Sequence, residues 1–175
     1  MPVKVICAWC KRDLSPEIQD YSPRDVSHTM CDPCLSKNLE QDPISIREFL
    51  DGQPYPILLV NGAGAVLSGN DKAENKLGKS LGDMQGVLGG DVVACVNAGD
   101  EGGCGHTLNC AMCEFRNAFE HTHKTGKALV DKPVSLTVLS ATGARLALSL
   151  KLSTRKIGAA VFITIHALQT RPAIG

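Results

Sequence analysis

Eight cysteines give this chain its most distinctive chemistry, and their positions divide them into two sets. The first set consists of two Cys-x2-Cys pairs with twenty residues between them, namely Cys7 with Cys10 and Cys31 with Cys34. The second set consists of Cys95, Cys104, Cys110 and Cys113. Thiolate sulfur is a soft ligand for zinc and for iron–sulfur clusters, so the spacing within each set indicates the kind of site it can form.

The first set has the spacing of one tetrahedral metal site. Each Cys-x2-Cys turn places two thiolates on one side of a tight loop, and two such turns surround a single ion. We predict Zn²⁺ bound by Cys7, Cys10, Cys31 and Cys34, with an iron–sulfur centre or unligated thiols as the alternatives. His28 lies three residues before Cys31 and could replace one cysteine, although a position beside the ligands or at the surface is expected. Such a site is structural and contributes folding energy.

The second set has a less familiar spacing and lies in a glycine-rich stretch. Cys110 and Cys113 are three residues apart at the predicted start of a helix, where they would share a face. The positive end of the helix dipole would favour their thiolate forms. The predicted ligands of this site are Cys95, Cys104, Cys110 and Cys113. They suit either Zn²⁺ or a [4Fe–4S] cluster, and the alternative is a buried Cys95 with three free thiols.

Three histidines near the second set offer other interpretations. His106 lies between two of the cysteines and is a rival ligand. His121 and His123 are further along the predicted helix, where exposed positions are expected and a haem contact is the alternative. Cys110 with His106 is the one candidate pair for a nucleophile and a base, and no oxyanion or acidic partner motif accompanies it. We therefore predict no catalytic residue and no enzyme activity.

The composition indicates an ordinary globular protein. Of 175 residues, 43% are hydrophobic, 21% are charged and 4% are aromatic, and the net charge is zero. This balance provides no electrostatic footprint for nucleic acid or an anionic membrane, and few platforms for stacking bases. No stretch approaches the ~20 apolar residues of a membrane span, and the N-terminus lacks a secretory signal. We expect a cytoplasmic protein, whose thiols stay reduced.

The polarity of the chain predicts two units. Residues 1–41 have too few apolar side chains for their own core, so we expect a bound metal to supply the missing stability. Residues 42–170 alternate between strand and helix patterns, and the cysteine-rich stretch 95–113 is inserted among them. Asp42-Pro43 predicts a helix start, and Gly52 its end.

The second unit predicts an α+β fold. A hairpin is expected from strands 57–60 and 65–68, then a short helix 70–77 closed by Gly78. A longer helix, about 110–125, carries one buried face consisting of Phe115, Ala118, Phe119 and Thr122. Three strands follow at 134–139, 144–152 and 158–167, with turns at 142–143 and 155–156. This order predicts a five-stranded antiparallel sheet with flanking helices.

Residues 44–168 resemble the PAS family. The resemblance is carried by residues 47–64 and by the closing strands 146–151 and 159–167. It is also carried by a helix motif, because the family's Asn-x-x-Ala-Glu-x-x-x-Gly pattern is matched by Asn70-Asp71-Lys72-Ala73-Glu74-Asn75-Lys76-Leu77-Gly78. The stretch from Gly103 to Asn117 is also similar to a cysteine-bearing PAS variant of anaerobic bacteria. The same region resembles the photoreactive motif of flavin-binding light sensors only superficially, because the Arg and the Phe-Leu-Gln that follow that cysteine are absent.

The N-terminal turns, 6–11 and 27–35, resemble a short cysteine module of bacterial sensor and response-regulator proteins. Together the resemblances imply a bacterial sensory protein that acts through a signalling partner or as a homodimer, and they leave open a small-molecule ligand in the PAS pocket. The alternative function is an iron–sulfur redox or oxygen sensor, or a small electron carrier. No output segment is expected after the PAS-like region. The apolar face around Ile46 and Phe49 would be a dimer seam or would pack against the sheet.

Overall fold

The fold is seen in a computed structural model that describes residues 4–15, 26–41 and 43–173. Asp42, the predicted helix cap, lies outside the described residues. Strand β1 (Lys4–Cys7) pairs in parallel with β2 (Val26–Thr29). Helices α1 (Asp32–Gln41) and α2 (Pro43–Asp51) follow and lead into the main sheet.

The main sheet has five antiparallel strands in the order β4-β3-β7-β6-β5. The strands are β3 (Ile57–Val60), β4 (Val66–Gly69), β5 (Leu129–Leu139), β6 (Arg145–Ile157) and β7 (Ala160–Pro172). Between β4 and β5 the chain forms α3 (Asp71–Leu77), α4 (Leu81–Met84), α5 (Gly89–Val92), two 3-10 turns (Val96–Gly99 and Leu108–Met112) and α6 (Glu114–Thr125). The hairpin of β3 and β4 lies beside the last strand, β7, and the helices connect this hairpin to β5. This arrangement is PAS-like, as predicted.

Strand β3 is apolar throughout because both faces of the sheet are covered at this point. Leu58 and Val60 belong to the cluster on the face of the sheet that α6 covers, which we call the inner core. Leu59 belongs to the cluster on the opposite face, beneath α2, which we call the outer core. All four residues of the strand are buried. A strand covered on both faces has no polar alternation, and this explains the Ile-Leu-Leu-Val run.

Helix α6 packs on the inner face of the sheet and holds its core in place. Its buried residues are those predicted from helical spacing, namely Phe115, Ala118, Phe119 and Thr122. Its start was predicted wrongly, because Leu108–Met112 forms a 3-10 turn and Cys113 is the N-cap. Cys113 has extended backbone angles, with φ −66° and ψ 111°. Cys110 and Cys113 therefore do not share a helical face.

The closing strands extend further than predicted. The turn expected at 155–156 is wrong, because β6 continues to Ile157, which pairs with Ala160. The actual turn contains Gly158, whose φ of +58° suits a residue without a side chain. The turn predicted at 142–143 is confirmed, since Gly143 donates its N–H to the Ser140 carbonyl between β5 and β6.

A single buried amide fixes the start of α3 to the loop before β3. The Asn70 side chain is fully buried and accepts hydrogen bonds from the backbone N–H groups of Ile57 (3.0 Å) and Ala73 (2.9 Å). It donates to the carbonyls of Leu50 (3.0 Å) and Tyr55 (2.8 Å). Asn70 is therefore both the helix cap and the joint between α2, β3 and α3.

An ion-pair network reinforces the same joint. Arg47 of α2 pairs with Asp51 at 2.9 Å and with Glu74 of α3. Glu74 also accepts the N–H of Leu81. The hydrogen bond from Arg47, together with that N–H, holds the pKa of Glu74 below its usual range. The carboxylate is thus stabilised by folding.

We expect the substitution Glu74→Gln to lower the free energy of unfolding by about 1 kcal/mol at neutral pH, since the pair is partly exposed. A depressed folded pKa contributes stability above the unfolded value of about 4.3 and loses it as the pH falls through the folded value. The difference between wild type and variant should therefore shrink towards zero at low pH. Urea unfolding of both proteins at neutral pH and at about pH 3 measures this, and a constant difference would contradict it.

The N-terminal segment packs on the outer face of the main sheet. Met30 and Leu35 are buried in the same cluster as Ile46 and Phe162. Trp9 meets Phe49 edge to face, with ring centroids 5.1 Å apart. The face around Ile46 and Phe49 therefore packs within the chain, in line with the second of the two alternatives for that face. In the ranges that the structure describes, no helix is long and apolar enough to cross a membrane.

Candidate metal centres

The four cysteines of the first set converge on one point. Their sulfur atoms all lie within 4.8 Å of one another, and the Sγ atoms of Cys10 and Cys31 are 3.6 Å apart. A zinc ion about 2.3 Å from each of four thiolates requires sulfur–sulfur distances of about 3.8 Å. The arrangement therefore fits a tetrahedral four-thiolate metal site, which we call the knuckle site.

The knuckle site is built from two turns that follow strands β1 and β2. Cys7 ends β1, and its carbonyl accepts the N–H of Lys11, which has a left-handed backbone with φ of 61°. Cys31 follows β2, and Cys34 lies in the first turn of α1. The N–H of Cys31 donates to the Cys7 sulfur at 3.4 Å, so one turn supports a ligand of the other. The parallel pairing of β1 and β2 brings the turns together.

The close approach of the thiols in the knuckle site opposes the ionisation of Cys31 and Cys34 once Cys7 is a thiolate. Burial raises the pKa of Cys7, but N–H groups of Cys31, Cys10 and Trp9 outweigh it and lower this pKa to about 6. Burial and the neighbouring thiols raise the pKa of Cys34 to about 12. A first thiolate thus opposes the formation of the others, and a divalent cation removes that opposition.

Neither His28 nor the nearby lysines belong to the ligand group. His28 is exposed on β2 and lies outside the four-sulfur cluster, so it does not replace a cysteine. Lys4 pairs with Asp13 at 3.3 Å, and the Lys11 ammonium donates to the Ala8 carbonyl at 2.7 Å. The sulfurs are therefore supported by backbone N–H groups more directly than by cations.

The second set surrounds a cavity of about 360 Å³ between α6, the first 3-10 turn and the inner face of the sheet. All four cysteines line it, as do Phe115, Phe119 and Leu136 on its apolar side. Cys110 is buried, and the other three are half-buried. We call this space the cysteine cavity. The structure thus brings together all four residues that the sequence grouped.

The sulfurs of Cys95, Cys110 and Cys113 each have a hydrogen-bond partner in the cysteine cavity. Cys110 accepts the N–H of Gly105 at 3.3 Å and faces the Thr107 hydroxyl at 3.2 Å. Cys113 accepts the N–H of Arg116 at 3.5 Å, as the cap of α6. Asn97 donates its amide to Cys95 at 3.9 Å, and the Gly90 N–H faces Cys104. These donors stabilise sulfur in its thiolate or metal-bound form.

Burial and hydrogen bonding act in opposite directions on these thiols. The Thr107 hydroxyl, followed by backbone N–H groups and the charge of Arg116, lowers the pKa of Cys110. Burial raises the pKa of Cys104 and of Cys113, and neighbouring thiolates add to the rise. Cys110 therefore ionises more readily than Cys104 or Cys113.

The two sets differ in how closely their sulfurs approach. Within the described ranges the knuckle site is the one cluster whose sulfurs all lie within 4.8 Å, and no three sulfurs of the cysteine cavity meet that limit. The cavity also does not include His106, which is exposed. His121 is exposed as well, and His123 is half-buried against Gly62, so neither points into the cavity lining.

Arg116 and Gly90 are site residues that the sequence did not indicate, whereas Gly105 belongs to the glycines expected to let the backbone wrap closely around the site. The Arg116 guanidinium donates to the Gly105 carbonyl at 2.7 Å and pairs with Glu120. A side chain at Gly105 would lie 2.3 Å from that guanidinium, and one at Gly90 would lie 2.5 Å from the Cys104 sulfur. The dense glycines of 89–105 are the sequence signal that could have indicated such close packing.

Comparison with known proteins gives matches to solved structures alone. No family model matches the chain, and no curated protein matches it. A domain of a sensory box sensor histidine kinase/response regulator from Geobacter sulfurreducens is 15% identical with a TM-score of 0.44, over 75% of this chain and 99% of that one. A PAS domain from Desulfitobacterium hafniense is 16% identical, with a TM-score of 0.40 over 71% and 100%. The PAS domain of nitrogen regulation protein NR(II) from Vibrio parahaemolyticus is 13% identical, with a TM-score of 0.41 over 68% and 94%.

Proposed function

We propose that this protein is a bacterial sensory module of the PAS type, in which the knuckle site is a structural zinc centre and the cysteine cavity is the sensing site. The observation that carries the proposal is the convergence of four separate thiols on one cavity beneath α6. A PAS-like fold with a cavity of this size in its core can hold a ligand or cofactor and report its state through the surrounding elements.

Zinc is the proposed metal of the knuckle site for two reasons. Four thiolates at tetrahedral spacing, with no open position, are the usual ligand set of structural zinc. The metal also supplies folding energy to a segment whose largest buried side chains, Met30 and Leu35, lie in a cluster shared with Ile46, Phe162 and other residues outside the segment. This site therefore shapes the module and does not take part in sensing.

A sensory role is proposed over an enzymatic one because the cavity provides ligands and not a reacting pair. The groups at the Cys110 sulfur are the Gly105 N–H and the Thr107 hydroxyl, and neither is a base. His106, the one base considered from the sequence, is exposed and lies outside the cavity lining. The proposed output passes to a signalling partner or to a second copy of this chain, in a reducing compartment such as the cytoplasm.

The test is whether a chemical change in the cavity alters the surrounding elements. Hydrogen–deuterium exchange would be measured on the full chain, purified anaerobically with its metals, before and after brief exposure to air. We expect faster exchange in residues 108–125 and 129–139, which surround the cavity, since oxidation of the sulfurs or of a bound metal removes contacts that hold these elements. Residues 4–15 and 26–41 should not change, because zinc has no redox chemistry.

Two outcomes would contradict the sensory proposal. One is identical exchange in residues 108–139 before and after exposure, with the cavity chemistry shown by spectroscopy to have changed. The other is an equal response in a variant that lacks two cavity thiols, Cys104→Ser/Cys113→Ser. Sedimentation of both states then distinguishes a change in self-association from an output that needs another protein.

A further inference from the structure

We propose that the cysteine cavity binds one [4Fe–4S] cluster through Cys95, Cys104, Cys110 and Cys113, and not a second zinc ion. This inference deepens the proposed function, on which it rests for the role of the cavity, by naming the cofactor.

The separation of the sulfurs favours a cluster over a single ion. A zinc ion draws its four sulfurs to within about 4 Å of one another, since each lies about 2.3 Å from the metal. The knuckle site has this convergence, with all of its sulfurs within 4.8 Å, but no three sulfurs of the cysteine cavity do. In a [4Fe–4S] cluster each cysteine binds a different iron atom, so its sulfurs stand further apart around a central volume. The cavity of about 360 Å³ provides that volume.

The donors around the sulfurs also suit a cluster. Backbone N–H groups of Gly90, Gly105 and Arg116 face three of the four sulfurs, and the Asn97 amide faces the fourth. Such hydrogen bonds disperse the negative charge of an iron–sulfur cluster and set its reduction potential. A glycine at position 90 is required for this approach, because a side chain there would lie 2.5 Å from the Cys104 sulfur.

The surroundings combine one cation, the carboxylates of Glu114 and Asp91, and an apolar wall. The Arg116 guanidinium, fixed by the Gly105 carbonyl and by Glu120, lies near enough to interact with the charges of Cys110 and Cys104. Glu114 also lines the cavity, but its carboxylate accepts the N–H of Ser135 at 2.8 Å. Phe115 and Phe119 cover the inner side and limit the access of water. A buried anionic cluster needs this combination of compensating charge and dry surroundings.

The experiment is metal and sulfide analysis of the full chain after anaerobic reconstitution with iron and sulfide, together with visible absorption and electron paramagnetic resonance after dithionite reduction. We expect about four iron and four sulfide per chain, a broad visible band that bleaches on reduction, and one zinc that remains. Cys113→Ser is the informative variant. Serine is itself a good helix cap, so the cap of α6 is kept while the soft ligand is lost. Its iron content should fall at least fourfold with circular dichroism and zinc content unchanged.

The matched control is His106→Ala, which removes the rival ligand and should keep the wild-type iron content. Two zinc per chain and no bound iron in the wild type would overturn the inference, as would equal iron loss in the two variants. The same samples separate this inference from the proposed function. If the cavity is colourless and holds zinc, but its surroundings still respond in hydrogen exchange, the cluster proposal is contradicted and the sensory role is not. If the cluster is complete, but its oxidation leaves the hydrogen exchange of residues 108–139 unchanged, the sensory role is contradicted and the cluster is not.

Discussion

Removal of zinc from the knuckle site is expected to destabilise the whole PAS-like unit and not only the first forty residues. Metal binding in small four-thiolate units supplies about 10–16 kcal/mol, and without it the turns that carry Cys7 and Cys31 do not form. Met30 and Leu35, each 2% exposed, would then leave the outer core. Loss of one such buried side chain costs about 2–5 kcal/mol. Thermal unfolding with and without a strong zinc chelator should show a fall in Tm of at least 10 °C.

The control for this prediction separates packing from metal binding. Leu35→Ala keeps the ligands and should keep one zinc per chain, while losing about 3 kcal/mol of unfolding free energy through the same outer core. Cys10→Ser affects the most exposed ligand and should lower zinc occupancy and Tm together. An unchanged Tm after complete zinc removal would show that the segment and the sheet are energetically independent.

The second large effect is expected at Asn70. Asn70→Ala removes the side-chain partner of the Ile57 and Ala73 N–H groups and of the Leu50 and Tyr55 carbonyls. Ala73 keeps its bond to the Asn70 carbonyl and Leu50 keeps the Gln53 N–H, so Ile57 and Tyr55 lose the most. Each buried polar group left unsatisfied costs about 1–3 kcal/mol, and partial access of water reduces the sum, so we expect a loss of about 4 kcal/mol. Urea unfolding, followed by far-UV circular dichroism, measures it.

Asn61 offers a matched control for Asn70. Its side chain also accepts two backbone N–H groups, from Ala63 and Ala65, but it does so in the exposed turn between β3 and β4. Asn61→Ala should cost about 1 kcal/mol or less, since water replaces the lost bonds. Asn70→Asp should remain destabilising at neutral pH, because a carboxylate would face the carbonyls of Leu50 and Tyr55. Equal losses for the Asn70 and Asn61 alanine variants would contradict a special role for burial.

Local periodicity and cysteine spacing were enough to predict much of this molecule. The buried face of α6 follows from helical spacing alone, and the caps Asn70 and Gly78 follow from residue type. The convergence of Cys7, Cys10, Cys31 and Cys34 follows from two Cys-x2-Cys turns, because the geometry of such a turn is largely local. The five-stranded antiparallel sheet follows from the order of the predicted elements and agrees with the structure, whereas the order of its strands in space was not predicted.

The parts that could not be predicted depend on contacts distant in sequence or on loop conformation. The arrangement of the cysteine cavity depends on left-handed backbone at Gly102, Gly103 and Gly105, and spacing does not specify it. The packing of Met30 on the outer core joins residues far apart in the chain, and a single methionine carries no periodic signal. The start of α6 was misplaced for a local reason, since a cysteine is not an obvious helix cap.

The link between Asp32 and the Gly158 N–H, at 2.6 Å, has a consequence for how this chain folds during synthesis. The two residues are 126 positions apart, so Asp32 gains this partner only after the hairpin of β6 and β7 has been made. Closing so long a loop carries an entropic cost before any contact compensates for it. The cysteine turns can bind zinc and fold locally before these distant contacts form. With zinc bound as proposed, the segment of β1, β2 and the cysteine turns would stay compact until β6 and β7 are made.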